Sequence, residues 1–240
     1  MSSTAEIAPW VNVRQTIAPW WHTLLVLALI GGLSVVSHRQ GALPDAHLPG
    51  LNARLSSYIT TLAAEWLLIA FIWSGIRLRG MKIGSLISGR WPSPLAFFRD
   101  LGLALSVFVV VGLPLSLLAS RFAGHASSAQ MAILPKTVPE LAVWFALSAT
   151  AGFCEELIFR GYLTIQFSAW TGSRAAAVVL QALAFGLGHG YYRIGVMVVI
   201  AILGFCLGLL TLWRKTLRPA MLFHVLQDAL GGIEGFLSRT

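Results

Sequence analysis

Ile194-Gly-Val-Met-Val-Val-Ile-Ala-Ile-Leu-Gly-Phe-Cys-Leu-Gly-Leu-Leu-Thr-Leu-Trp213 runs for twenty residues without a charge. About twenty apolar residues are what an α-helix needs to cross the hydrocarbon core of a bilayer. Gly204 and Gly208 within it form a small-xxx-small face, which suits close helix packing. The rest of the chain repeats this character: 57% of its 240 residues are hydrophobic and 11% are charged. A soluble domain carries about 25% charged residues, and one of this length could not hide so much apolar surface from water. Lipid is the solvent such a sequence fits.

Seven segments read as membrane helices: Trp20–Ser37, Ser57–Ile76, Phe97–Ser120, Pro139–Leu163, Arg174–His189, Ile194–Trp213 and Leu217–Leu237. The expected fold is all-α, a polytopic transmembrane bundle of about seven helices forming one membrane domain over 1–240. The fifth segment is short. The seventh carries Pro219, His224, Gln227, Asp228 and Glu234, so its neighbours must shelter it. The linkers His38–Ser56 and Arg121–Val138 contain proline and glycine and read as surface loops. The N-terminus, with Glu6, Pro9 and Pro19, does not read as a removed signal peptide.

The net charge of +8 does not mark a nucleic-acid binder, because the basic residues flank apolar runs instead of lining one helix face. Under seven spans, Arg14, Arg77, Arg79, Lys82, Arg90, Arg99, Arg174, Arg214, Lys215 and Arg218 share one side. Arg39, Arg54, Arg121, Lys136 and Arg193 take the other. That bias predicts a cytoplasmic N-terminus in a bacterial-type plasma membrane. Trp20, Trp21, Trp91, Trp170 and Trp213 sit near helix ends as interface anchors. Cys154 and Cys206 lie in apolar runs without metal-ligand spacing and read as packing residues.

The polar residues inside these spans are the unusual ones, since an ionisable group at membrane depth needs a partner or a purpose. Glu155 and Glu156 are adjacent in the fourth span, so their side chains diverge by about 100° and cannot share one role. Arg160 lies one turn beyond Glu156, and the two read as an internal ion pair. Glu155 is then left facing the bundle interior with no local partner, suited to act as a general base. His189 follows Phe185 by one turn at the end of the fifth span. His224 and Asp228, four apart in the seventh, share a face on which they could fix a tautomer, bind a metal or satisfy each other. Gly186, Gly188 and Gly190 would let another backbone come close to His189. Glu65 in the second span could line a gate or snorkel; His22, His38, His47 and His125 read as solvated. Neither a Gly-x-Ser-x-Gly elbow nor a His-Glu-x-x-His motif occurs.

Glu155-Glu156-x-x-x-Arg160, Phe185-x-x-x-His189 and His224-x-x-x-Asp228, in that order and in successive apolar helices, resemble the motifs of the CPBP family. These are the CAAX-protease and bacteriocin-processing membrane peptidases, also called Abi. The resemblance covers about Leu141–Leu230 and makes 138–240 the catalytic core, with 1–137 as scaffold and gate. It implies peptide-bond hydrolysis within the membrane. Glu155 with His189 would deprotonate a water, His224 and residue 228 would stabilise the oxyanion, and Glu156 with Arg160 would hold the site together. Asp228 stands where the prenyl-protein members carry asparagine, and an ionised aspartate has no hydrogen to donate to an oxyanion. It is therefore protonated, or orients His224, or ligates a metal. The preferred mechanism needs no cofactor; a zinc site would draw on Glu155, His189, His224 and Asp228.

The expected substrate is a membrane-associated or lipidated protein or an anchored precursor, with the bilayer as the other partner and no nucleic acid. Nothing in the sequence specifies an oligomeric state. Two other functions compete. One is a non-enzymatic immunity or scaffold protein, against which the intact motif set argues. The other is a proton-coupled transporter, for which the paired broken helices of inverted repeats are lacking. The spacing also sets a geometric problem. If the fourth helix ends at Leu163 and the fifth begins at Arg174 on the same surface, Glu155 lies about 12 Å from that surface and His189 about 22 Å.

Overall fold

The structure is a computed structural model that describes residues 14–40, 48–87, 91–123 and 133–238. His47, His125, Arg90, the N-terminal Glu6 and Pro9, and much of both long linkers lie outside the described residues. Among the described residues five helices are long and apolar enough to cross a membrane: Trp20–Arg39, Ala53–Arg77, Pro94–Phe122, Val138–Thr171 and Ile194–Arg214. The chain is an integral, multi-pass membrane protein with the expected helical bundle; of the seven expected spans, five meet these measures among the described residues. Arg174–Gly188 is apolar but too short, and Arg218–Leu237 is interrupted by ionisable residues, of which His224 is buried in the bundle.

In chain order the helices are α1 (Trp20–Gln40), α2 (Ala53–Arg77), α3 (Gly84–Ile87), α4 (Pro94–Val107), α5 (Leu113–Ala123), α6 (Val138–Glu156), α7 (Thr164–Thr171), α8 (Arg174–Gly188), α9 (Ile194–Arg214) and α10 (Arg218–Leu237). The axis of α4 continues into α5 through a π-helical turn at Phe108–Gly112, and that of α6 into α7 through another at Leu157–Leu163. Helix α6 begins with a capping box in which Thr137 and Glu140 satisfy each other's backbone N–H groups. Glu140, buried, also accepts from Asn52 Nδ2 at 2.9 Å, which ties the start of α2 to the start of α6.

The fourth span does not stop at Leu163, as its hydropathy predicts; it continues to Thr171. Gly172 then takes a left-handed conformation (φ +67°), and Ser173 caps α8 through its side chain. The result is a tight antiparallel hairpin. Glu155 lies as many residues before Gly172 as His189 lies after it, so the two reach the same height, about 25 Å from the turn. The mismatch expected from a helix end at Leu163 disappears.

Close crossings fix the other helices around this hairpin. A Cβ on Gly204 would meet the Phe185 ring at 2.9 Å and one on Gly208 would meet Gln181 Nε2 at 2.6 Å, so the small face of α9 packs against α8 as expected. Gln181 Nε2 donates to Gly204 O at 2.9 Å across the same seam. A Cβ on Gly152 would lie 2.5 Å from Val225 Cγ2 and 2.9 Å from Val225 N, on α10. Because backbone stands in the way, Gly152→Ala is expected to force α6 and α10 apart. A loss of about 1–3 kcal/mol is expected, read by unfolding in detergent, together with a fall in activity because α10 carries His224. An unchanged midpoint would show that the crossing is looser than this.

At one end of the bundle Asp100 is fully buried and gathers Trp91 Nε1 at 3.0 Å, Arg214 Nη2 at 3.2 Å and Arg218 Nε at 3.4 Å. Two of the basic residues counted for orientation are therefore ion-paired, and the loops after the second and sixth spans do lie together. Trp20, Trp21, Trp91, Trp170 and Trp213 are all exposed.

Candidate active site

All six residues singled out by sequence lie in one place. Glu156 and Arg160 are fully buried, with Arg160 Nη1 donating to Glu156 Oε1 at 2.8 Å, the pair expected from their spacing. Arg160 belongs to the π-helical turn, where Thr164 Oγ1 takes the carbonyl of Phe159 five residues back, at 2.9 Å. Such one-turn widenings often mark functional sites. The guanidinium carbon also lies 4.0 Å from the centroid of Phe185, so the motif phenylalanine of α8 is stacked on the motif arginine that follows α6.

Both histidines are held by their Nδ1 atoms. His224 Nδ1 donates to Glu156 Oε1 at 2.9 Å, and His189 Nδ1 donates to Phe185 O at 2.8 Å. Each imidazole therefore presents Nε2 to the interior, and both Nε2 atoms point at the same oxygen. Glu155 Oε2 is 3.9 Å from His189 Nε2 and 3.8 Å from His224 Nε2. These gaps exceed a hydrogen bond and leave that carboxylate oxygen without a hydrogen-bond partner. Asp228 Oδ2 is 3.6 Å from His224 Nε2. The backbone carbonyl of Asp228 accepts from Trp144 Nε1 at 2.8 Å, which fixes α10 against α6. Glu155 and Asp228 keep part of their surface open, whereas Glu156 and Arg160 have none.

Three features were misread or missed from sequence. His22 is buried, not solvated: its Nδ1 is 2.9 Å from Tyr162 Oη and its Nε2 2.9 Å from Phe71 O, linking α1, α2 and the fourth span. His38, though exposed, donates from Nδ1 to Gly190 O at 2.8 Å, just beyond His189. Glu65 belongs to the site's electrostatics, since it interacts with the charges of Glu155, His224 and Asp228, and its Oε2 is buried without a partner.

Tyr191 and Tyr192 were not singled out at all. Their rings lie 5.9 and 6.4 Å from that of His189 and 4.3 Å from each other. Both sit in the turn between α8 and α9. Burial pushes both phenols up, Tyr191 well above the ordinary value and Tyr192 to about 12, with the charges of Glu155 and Asp228 adding to the effect. The only sequence signal for them is position, two aromatics directly after a motif histidine and glycine.

A metal reading would use Glu155, His189, His224 and Asp228. Among the described residues no group of three or more His, Cys, Asp or Glu is arranged to hold a metal ion. Residues 137–230 match the family model described as Rce1-like, type II CAAX prenyl endopeptidase Rce1-like. No curated protein and no solved structure matches the chain.

Proposed function

We propose that this chain is an intramembrane endopeptidase of the CPBP, or CAAX-protease, kind, in which Glu155 activates a water against a peptide bond of a membrane-associated or lipidated protein or precursor; the match of residues 137–230 to the Rce1-like type II CAAX prenyl endopeptidase model supports this reading. The observation that carries this reading is the convergence of two imidazole Nε2 atoms, one at the end of α8 and one on α10, on one oxygen of Glu155. A gap of nearly 4 Å on either side is wide enough for a small oxygen species to bridge the groups, and too wide for them to satisfy one another.

The roles follow from the hydrogen bonds. His189, whose Nδ1–H is engaged with Phe185 O, offers its Nε2 lone pair and orients the water with Glu155. Glu155 accepts the proton as the water oxygen bonds to the scissile carbonyl carbon, and the carbonyl electrons move onto oxygen. His224, carried as the imidazolium with Nδ1–H on Glu156 and flanked by Asp228, turns its Nε2–H toward that developing charge. Collapse of the adduct breaks the C–N bond, and Glu155 returns its proton to the leaving nitrogen. Asp228 orients His224 in this scheme. Every step runs through side chains of this chain. The cytoplasmic N-terminus and plasma-membrane location stay part of the proposal, resting on the charge bias of the loops.

Protein reconstituted in liposomes with a membrane-anchored peptide bearing a prenylated cysteine tests the reading, with products read by mass spectrometry. His189→Ala and His224→Ala are each expected to lower cleavage by about 10²–10⁴-fold, and a chelator is expected to leave the wild type unaffected. If both variants keep full function, a scaffold or immunity role takes over. Uptake driven by a proton gradient would point to a transporter.

A further inference from the structure

Hydrolysis as proposed leaves one requirement unmet. The adduct oxygen needs hydrogen-bond donors, and Asp228, ionised, has none to give. His224, protonated on both ring nitrogens, supplies one donor from Nε2, while the carboxylate of Asp228 stands 3.6 Å from that atom. A neutral donor is wanted close by.

We propose that the Tyr191–Tyr192 hydroxyl pair supplies that donor, taking the place in the oxyanion site that residue 228 cannot fill in this chain. The inference rests on the hydrolytic reading above. The two phenol rings lie 4.3 Å apart between centroids, and each carries one O–H that can donate. The pair lies against the His189 ring and within electrostatic reach of Glu155 and Asp228, so it borders the space where the adduct would form. A phenol keeps its proton below about pH 10 even when fully solvated, so it stays a donor across the working range.

The turn that carries the pair is held rigid from outside the family-matched stretch. Gly190 N donates to Ser34 Oγ at 3.1 Å, Ser34 Oγ donates to Leu187 O at 2.5 Å, and His38 Nδ1 donates to Gly190 O. A Cβ on Gly190 would collide with Ser34 Oγ. Tyr192 N donates to His189 O at 3.0 Å within the turn. Helix α1 therefore fixes the backbone between His189 and the tyrosines, which is the preorganisation an oxyanion donor needs.

In the step itself the water O–H bond breaks with its proton going to Glu155, and the new C–O bond forms. The carbonyl π pair becomes the oxyanion lone pair that the phenol O–H and His224 Nε2–H hydrogen-bond. No proton leaves the phenol. When the C–N bond breaks, the oxygen regains its double bond and the nitrogen takes the proton from Glu155.

Tyr191→Phe, Tyr192→Phe and the double variant, assayed in the liposome system, test this. The double variant is expected to lose about 10²–10³-fold in kcat with little change in KM. Adding Asp228→Asn, whose amide can donate, is expected to recover at least tenfold of that loss. A purely structural role for the tyrosines would not be rescued by an amide at 228. If the double variant keeps kcat within twofold of wild type while Glu155→Gln is inactive, the tyrosine assignment is wrong and the hydrolase reading survives. If Glu155→Gln is itself active, the hydrolase reading fails and this inference goes with it.

Discussion

Glu155→Gln is expected to abolish cleavage, by about a thousandfold or more, while the protein still folds and inserts. The substitution keeps the shape and volume of the side chain and removes only its ability to accept a proton. Little should change in stability, because Oε2 of Glu155 makes no hydrogen bond that the fold relies on and the side chain is about one-fifth exposed. A carboxylate whose purpose was to pair with His189 or His224 would behave otherwise. At 3.8 and 3.9 Å neither contact is a bond, and losing them would barely alter packing. The measurement is kcat/KM in liposomes beside an unfolding midpoint in detergent. Unchanged turnover at unchanged stability would remove Glu155 from the chemistry and leave the convergence of the histidines without a function. A substrate trapped on the Glu155→Gln protein, identified by mass spectrometry, would also name the cleaved chain.

The contrast with Glu156 was legible before any coordinates, and for a simple reason. Glu156 and Arg160 are one turn apart along one helical axis, so their pairing depends only on local periodicity. The same holds for His224 with Asp228. Groupings across helices were harder. The convergence of Glu155 with His189 depends on where α7 ends, and residues 164–171 include Thr164, Gln166, Ser168 and Thr171, which lower the apparent hydropathy and suggest a loop. They stay helical because their polar groups are satisfied inside the protein. Gln166 alone accepts from Ile17 N at 2.8 Å and donates to Ala18 O at 3.0 Å and Thr23 Oγ1 at 2.6 Å. Hydropathy cannot see partners so distant in sequence, so it stopped the helix about two turns too soon. His22 was misjudged by the same blindness: near a helix end it reads as solvated, yet Tyr162 and Phe71 enclose it. Glu65 was legible only as an oddity. Its relation to Glu155 and Asp228 arises from the packing of α2 beside α6, which no local pattern encodes.

Arg160→Met is expected to cost about 3–5 kcal/mol of stability, since it strips a fully buried carboxylate of its partner. Glu156 would be left with His224 Nδ1 as its one remaining side-chain partner among the described residues, in a place with no solvent to fall back on. Arg160 also stacks on Phe185, so its loss loosens α8 from the fourth span and moves His189, whose Nδ1 depends on the Phe185 carbonyl. The double variant Glu156→Leu/Arg160→Met should be markedly more stable than Arg160→Met alone, because two apolar groups of similar size carry no unmet charge. Its activity should nonetheless stay low. Without Glu156 nothing holds His224 Nδ1, the ring is free to turn, and Nε2 no longer faces Glu155. Stability and activity are thus expected to separate in this pair: recovery of the first without the second assigns Glu156 to positioning His224. Recovery of both would reduce the pair to a packing device, and recovery of neither would mean that Arg160 stabilises the bundle chiefly through Phe185.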